Sequence, residues 1–302
     1  MDWTESMQRA IDYVERHLES ELDYEEIAAQ SYFSRYHFHR VFGALCGCTI
    51  GEYIRKRRLT LAAQELAQEK AKVLHVALRY GYDSPDSFSK AFLRFHGVLP
   101  SQAKRGAPLR SFPIFTLQNL SNAGGRYEMN YKIEERTGKI LVGYKKRFTG
   151  VPYGKEREKQ EEEFFCTTRG KQWLLRGAAN NPELDYCLIT NVDEEGYDFY
   201  IASEVDEWGR EALFDTKIMG IDGVENWGFE IIELKPQKYA VFETEKQRKP
   251  VSEYLDIRRR IVGEWLPASG YTLKDAPEVV VLHWKYYTDR DKKYIEIYLP
   301  IE

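Results

Sequence analysis

One twelve-residue pattern occurs twice in this chain, fifty residues apart, and few folds accommodate that. Ser34–Leu45 reads SRYHFHRVFGAL and Ser84–Phe95 reads SPDSFSKAFLRF. Superposed, Phe38, Val41, Phe42 and Leu45 fall on Phe88, Ala91, Phe92 and Phe95, at i, i+3, i+4 and i+7 in each copy. That spacing gathers four apolar side chains on one side of a helix. The outer sides match too, with Ser34 and Ser84 as N-cap candidates and with Arg40 and Lys90 as basic residues placed outward beside the stripe. Two copies of one amphipathic helix predict one kind of surface used twice.

The flanking residues extend the repeat. Asp23-Tyr24-Glu25-Glu26 has the N-cap and N3 carboxylates of a capping box and starts a short helix through Gln30, with Ile27 and Ala28 inward. Ser31–Phe33 is then a tight turn, so the first copy is the second helix of a helix-turn-helix. In the second copy Val73–Tyr80 supplies the short helix, with Val76 and Ala77 matching Ile27 and Ala28. Gly81 suits the turn, Ser84 caps and Pro85 takes N1. Asp2–Glu19 reads as a support helix with Ile11, Val14 and Leu18 inside. Thr49–Glu69 reads as a longer one, with Ile54, Leu59, Ala62, Ala63 and Leu66 facing one way.

Charge is distributed unevenly. The net charge is −4, and residues 111–302 hold 28 basic against 34 acidic residues, yet residues 31–60 hold 6 basic and 1 acidic, plus His37 and His39. Arg55-Lys56-Arg57-Arg58 dominates that window. A charge run alone is a solvated face, but one directly after the first outward helix is placed to make phosphate contacts that fix a reading helix in register.

LDYEEIAAQSYFSRYHFHRVFGALCGCTIGEYIRKRRL, followed by VALRYGYDSPDSFSKAFLRFHGVLPSQAKR, closely resembles the DNA-binding domain of the AraC/XylS family of transcription regulators. The resemblance implies two helix-turn-helix units joined by a long helix, with base-reading positions on Tyr36, His39 and Arg40 and on Asp86, Ser87 and Lys90. Arg35, Arg55, Arg57, Arg58, Ser84 and Arg94 complete the expected DNA-facing set. An outward arginine can bind guanine O6 and N7, Lys90 can take the same acceptors or a phosphate, and Tyr36 can pack on a thymine methyl or bind phosphate. Asp86 either accepts from a cytosine amino group or favours its helix N-terminus through the dipole. The first helix is expected to carry more of the specificity. Two reading heads occupy successive major grooves about 10 bp apart, so a monomer on double-stranded DNA suffices and a dimer is not required. Activation through RNA polymerase is what the resemblance implies.

At 302 residues the chain is long enough for two cores. The fold expected is multidomain, α and α+β: an all-α double helix-turn-helix domain at 1–108, a linker at 109–128 around Ile114-Phe115-Thr116-Leu117 and Asn122-Ala-Gly-Gly, and an α+β domain at 129–302. Beyond the linker the pattern alternates and again repeats. Strands near Tyr131 and Lys139, a helix over 155–175 and a hairpin over 184–204 are followed by strands near Phe229 and Lys238, a helix over 251–266 and a hairpin over 278–301. Two strand-strand-helix-strand-strand halves related by a pseudo-twofold leave a groove where a small molecule can bind.

This order, and the terminal run YIEIYLPIE, resembles GyrI-like effector-binding domains. The resemblance places a carboxylate, Glu296 by position, in an aromatic cleft for a cationic or amphipathic effector; from the large aromatic supply of this half, Tyr200, Trp208, Trp227 and Tyr298 are the other ligand-binding residues expected. Superposing the halves sets Glu296 opposite Tyr200, so only the second half is expected to supply the acid. Because Glu296 alternates with Ile295 and Ile297, an exposed strand residue is its plain alternative. Two other readings of this half are a hydrolase of electrophilic small molecules using Glu296 with Tyr298 or Tyr200, and a protein-interaction module. Neither a Ser-His-Asp set nor a second ligand pair for Cys46-Gly-Cys48 is present, so no catalytic residue, metal or cofactor is expected. With no signal peptide and no membrane-length apolar run, the expected compartment is the cytoplasm.

Overall fold

A computed structural model describes residues 3–68, 71–116, 129–152, 155–214, 227–285, 289 and 291–302. The chain separates into two compact units, an amino-terminal helical one and a carboxy-terminal one built on a sheet.

Among its described residues the first unit has seven helices: α1 (Trp3–Arg16), α2 (Tyr24–Gln30), α3 (Arg35–Cys46), α4 (Ile50–Gln68), α5 (Val73–Arg79), α6 (Pro85–His96) and α7 (Pro100–Ala103). Asp23 caps α2 by accepting from the Glu25 amide at 2.9 Å, while Glu26, the expected return partner, takes the Tyr13 hydroxyl instead. Ser34 and Ser84 accept from the His37 and Ser87 amides, each at 3.2 Å. The two turns are not copies of each other. The second places its positive φ at Gly81 (+77°) and the first at Tyr32 (+60°), where a side chain costs roughly 1–2 kcal/mol.

Both apolar stripes face cores. Phe38, Val41 and Phe42 are buried, as are Phe88 and Phe92, each contributing about 1.5–3 kcal/mol. Helix α4 is the wall the two repeats share. Its Tyr53 ring meets Phe42 at 5.6 Å, while Leu59, Ala62, Ala63 and Leu66 pack with Val76, Ala77, Phe88 and Phe92. The segment expected to begin a linker is strapped to this wall. The amides of Arg110, Phe112 and Phe115 donate to His96, Thr60 and Tyr53. The expected extended piece is described as far as Thr116 and has no strand there; Leu117 and Asn122-Ala-Gly-Gly lie outside the described residues.

The second unit runs β1 (Tyr131–Arg136), β2 (Lys139–Thr149), α8 (Lys155–Thr167), α9 (Arg169–Ala178), β3 (Leu184–Thr190), β4 (Gly196–Glu204), α10 (Glu207–Phe214), β5 (Glu230–Leu234), β6 (Gln237–Glu243), α11 (Val251–Arg260), α12 (Leu266–Ser269), β7 (Glu278–His283) and β8 (Tyr294–Pro300). The helix expected over 155–175 is two helices. Thr167 and Thr168 donate their hydroxyls back to the Glu163 and Phe164 carbonyls, at 2.8 and 2.6 Å, and the Tyr144 hydroxyl reaches Thr168 at 3.0 Å. Such back-bonding bends a helix. A π-helical turn over Ile261–Trp265 joins α11 to α12, and α10 stands where the sequence suggested only a connection.

All strand pairs are antiparallel, in the order β1-β6-β8-β7-β3-β4-β2-β5. The first strand of each half pairs with the second strand of the other. Arg136 stands opposite Gln237 and Lys139 opposite Leu234, so one register continues from the β1:β6 pair into the β2:β5 pair. Residues 131–149 and 230–243 thus form one ribbon, bent at Thr137-Gly138 and Lys235-Pro236, that joins the two edges of the sheet. A Cβ on Gly138 would stand 3.0 Å from the Leu234 carbonyl oxygen, and Pro236 has no amide to give where the ladder pauses.

The sheet's two faces differ. One carries Tyr144, Phe148, Phe199 and Phe242 against Phe164 of α8 and Trp265 of the π turn. The other carries Tyr186, Leu188, Tyr200, Tyr239, Val279, Val281 and Tyr298. Strand alternation alone sorts these residues.

Candidate functional site

On α6 the face away from the core is open. Asp86, Ser87, Lys90 and Arg94 are all exposed, and Pro85 at N1 with Gly97 at the C-cap (φ +79°) fixes the helix that carries them. Ser87 also donates its hydroxyl to the Ser84 carbonyl at 2.9 Å, so part of its hydrogen-bonding capacity serves the cap. Asp86 lies in the first turn, where the helix dipole favours a carboxylate.

Helix α3 departs from the sequence reading. Arg40, expected outward, is 0% exposed, and His39 is 4% exposed. One turn back, the Tyr36 hydroxyl accepts from Arg40 Nη1 at 2.8 Å, and the guanidinium lies 5.4 Å from the Tyr36 ring centroid. His39 packs edge-on to Phe38, with centroids 5.8 Å apart. Arg35 is exposed and paired with Glu25 at 3.0 Å.

The basic run on α4 needs the larger correction. Arg57 grips the Glu15 carboxylate of α1 with Nε and Nη2, both at 2.9 Å, and gives Nη1 to the Phe112 carbonyl at 2.6 Å. The Tyr53 hydroxyl donates to the same carboxylate at 2.7 Å. Arg58 donates to the Leu18 and Ser20 carbonyls, at 2.8 and 2.6 Å, satisfying acceptors past the end of α1. Lys56 pairs with Glu52. Arg57 and Arg58, read from sequence as phosphate contacts, fasten α1 and the 110–115 strap to α4; Arg55 is the exposed member of the run. Periodicity assigns the run to a surface, but a guanidinium can also bridge a carboxylate and a carbonyl, as Arg57 does, or two carbonyls, as Arg58 does.

The second unit holds a cavity of about 580 Å³ on the sheet face opposite α8, bounded by the ribbon's bend. Glu296 and Tyr298 line it. Tyr298 and His283 hold one Glu296 oxygen, at 3.0 and 2.7 Å, and Tyr294 stacks on His283 at 3.9 Å. Arg136 reaches the Tyr298 hydroxyl at 3.1 Å. Burial raises the Glu296 carboxyl, but the hydrogen bonds and charges of His283, Tyr298 and Arg136 outweigh it, so the group lies below its ordinary value of 4.5. Burial and the neighbouring carboxylate push the Tyr298 phenol up. These partners favour the carboxylate form of Glu296 among the rings.

Other expected ligand residues lie elsewhere. Trp208, on the solvent side of α10, is 65% exposed and does not line the cavity. Trp227 precedes β5 at the sheet's far edge, and it too is outside the lining. Tyr200 is on the correct face but off the cavity, its hydroxyl 3.4 Å from Glu230. The rings present are Tyr186, Tyr239, Tyr294 and Tyr298. The first half also supplies an acid, at a position that is not the equivalent of Glu296, which the strand pairings set over Tyr200. Glu204 lines the cavity, bound by Lys139 at 2.6 Å and by the Tyr186 hydroxyl at 3.3 Å. Burial lowers the Lys139 ammonium, and Glu204 and Tyr186 more than restore it, leaving it above its usual value. Glu204 was legible as the next in-phase residue after Tyr200 and Ala202, and Lys139 as the residue after the bend.

A family model described as a helix-turn-helix domain matches residues 27–106, and one described as a GyrI-like small molecule binding domain matches residues 129–302. The chain is similar to the HTH-type transcriptional activator AarP of Providencia stuartii, 39% identical over 89 residues that make up 30% of this chain and 66% of AarP. It is also similar to the multiple antibiotic resistance protein MarA of Escherichia coli (strain K12), 34% identical over 90 residues, 30% of this chain and 71% of MarA. Among solved structures, SAV2435 bound to tetraphenylphosphonium is 20% identical, with 58% of this chain and 94% of that chain covered and a TM-score of 0.41.

Proposed function

The chain belongs to the AraC/XylS family of transcription regulators, with a GyrI-like small molecule binding domain as its carboxy-terminal half, and on that premise we propose that a small cation bound at Glu296 sets how the helical unit occupies DNA. The observation that carries this reading is the Glu296 carboxyl held by His283 and Tyr298 beside Tyr294 in a cavity of about 580 Å³. An effector shifts DNA occupancy only as far as it binds DNA-competent and other states unequally. Residues 1–108 are proposed as the DNA-binding domain, 109–128 as linker and 129–302 as effector domain. The name of AarP as an activator supports activation here; RNA polymerase as the partner, a monomer on DNA and the cytoplasm as the compartment are proposed with it. Among the described residues no helix is long and apolar enough to cross a membrane.

For DNA, the open face of α6 supports Asp86, Ser87, Lys90 and Arg94, with Ser84 as cap, as the reading head that needs no rearrangement. Reading by α3 through Tyr36, His39 and Arg40 requires Arg40 to turn away from Tyr36. Arg35 and Arg55 are then the phosphate contacts of the first head. Lys90→Ala is expected to cost about 1–3 kcal/mol on the specific site and much less on random duplex. Competition titrations with both duplexes check this, and equal losses on both would make Lys90 a backbone contact.

The ligand is expected to be released unchanged. A general acid needs a carboxyl raised toward the working pH, whereas Glu296 is depressed, which disfavours Glu296 as the acid of a hydrolase. The same depression fixes the pH response. The groups facing Glu296 are His283, Tyr294, Tyr298 and Arg136, and the carboxylate they favour stays charged from neutral pH down through 4.5. Binding of an organic cation of fixed charge should therefore persist from neutral pH down to the ordinary carboxyl value of 4.5 and weaken only below it. Calorimetric titration across that range checks it; loss of binding above pH 5 would remove Glu296 as the anchor.

A further inference from the structure

We propose that Glu204 and Tyr186 form a second ammonium subsite, filled here by the chain's own Lys139, and that the effector carries two cationic groups. This rests on the reading of the cavity as the effector site and deepens it.

The Lys139 ammonium shows what the subsite accepts. It lies 2.6 Å from Glu204 Oε2, 3.2 Å from the Tyr186 hydroxyl and 5.3 Å from the Tyr186 ring centroid. A carboxylate, a phenol oxygen and a ring face are the groups that recognise an ammonium from a ligand. The tethered occupant is easily exchanged. The side chains of Lys139 and Glu204 are 36% and 35% exposed, and a pair so open to water contributes little and is screened by salt. An entering ammonium replaces it while Lys139 turns to solvent.

Both ends of the cavity use the same parts. At Glu296 the acid takes a strand tyrosine hydroxyl, from Tyr298, and the ribbon delivers Arg136 over that ring at 5.1 Å. At Glu204 the tyrosine is Tyr186 and the ribbon delivers Lys139. Arg136 and Lys139 flank the two-residue bend, so the ribbon's own cations reach both acidic ends.

The register gives the spacing. Glu296 stands opposite Val281, Val281 opposite Tyr186, and Tyr186 opposite Ala202, two residues before Glu204. Three strand steps span about 14 Å across the sheet and the two-residue offset about 7 Å along it, which sets the two acids about 16 Å apart. Val279, Val281 and Tyr239 line the cavity with them. Two cationic groups joined by an apolar spacer complement this arrangement.

The test uses the full-length protein and two probes, decamethonium and the singly charged decyltrimethylammonium, titrated calorimetrically. Decamethonium should bind more tightly to the wild type. Lys139→Met should raise its affinity about tenfold, one subsite's worth of ammonium recognition, with decyltrimethylammonium nearly unchanged. Glu204→Gln should bring the two probes together. Lys139→Met combined with Glu204→Gln, which leaves no lone charge to disturb folding, should do the same. If decyltrimethylammonium binds through Glu296 but decamethonium gains nothing in the wild type or in Lys139→Met, the dicationic effector is wrong and the effector site stands. If neither probe binds, or Glu296→Gln leaves both unchanged, the reading of the site falls as well.

Discussion

Arg57→Ala should unfold the helical unit early, with about 3–5 kcal/mol of stability lost, and should not flatten the salt dependence of DNA binding in the way a lost phosphate contact does. The Arg57 and Glu15 side chains are 8% and 15% exposed, and three guanidinium nitrogens are engaged by Glu15 and the Phe112 carbonyl. Removing the arginine leaves the Glu15 carboxylate between α1 and α4 with only the Tyr53 hydroxyl, and an uncompensated buried charge carries a penalty of that size. It also releases the 110–115 strap at Phe112. Thermal unfolding by circular dichroism measures the stability, and DNA titrations at several salt concentrations measure the slope. Unchanged stability with a slope reduced by about one would return Arg57 to the phosphate backbone.

In the second unit the largest loss should follow Arg258→Met. Arg258 and Glu278 form an ion pair whose side chains are 2% and 1% exposed, with Arg258 Nη1 also donating to the Tyr254 hydroxyl at 2.7 Å. Glu278 begins β7, opposite Ile189 on β3, beside the seam between the halves. Stranding it there should cost about 3–5 kcal/mol, whereas replacing both partners together with Arg258→Met and Glu278→Leu should cost far less and can stabilise. Chemical denaturation of the wild type, the single variant and the double variant compares them. A double variant no better than the single one would assign the loss to packing against Tyr254.

The helices were legible because their signals are local. Asp23, Ser34, Ser84, Pro85 and Gly81 each act within one turn, and the stripes of Phe38–Leu45 and Phe88–Phe95 need only a period. What the arginines do was not legible. Arg40 and Arg57 stand at positions that periodicity assigns to a surface, and their partners, Tyr36 in one case and Glu15 with Phe112 in the other, are chosen by rotamer and packing. In the sheet unit alternation found Glu296 and Tyr298, since they share a strand face. It also puts Glu204 on the face of Tyr200 and Ala202, but it could not bring Lys139 and Arg136 to these acids, because those meet them only where the ribbon bends at Thr137-Gly138. Trp208 and Trp227 drew attention as large aromatics, yet size says nothing about which side of a connection a ring takes.

That bent ribbon bears on ancestry. Neither half owns a complete set of partners: β1 completes the second half and β5 the first. Two separate copies of one half would satisfy each other in the same way, so the domain has the form of a strand-swapped dimer fused by tandem gene duplication. In such a dimer one substitution would alter two equivalent positions at once, whereas in a single chain they differ freely: the strand pairings set Glu296 of β8 over Tyr200 of β4, an acid in one half where the other has a phenol.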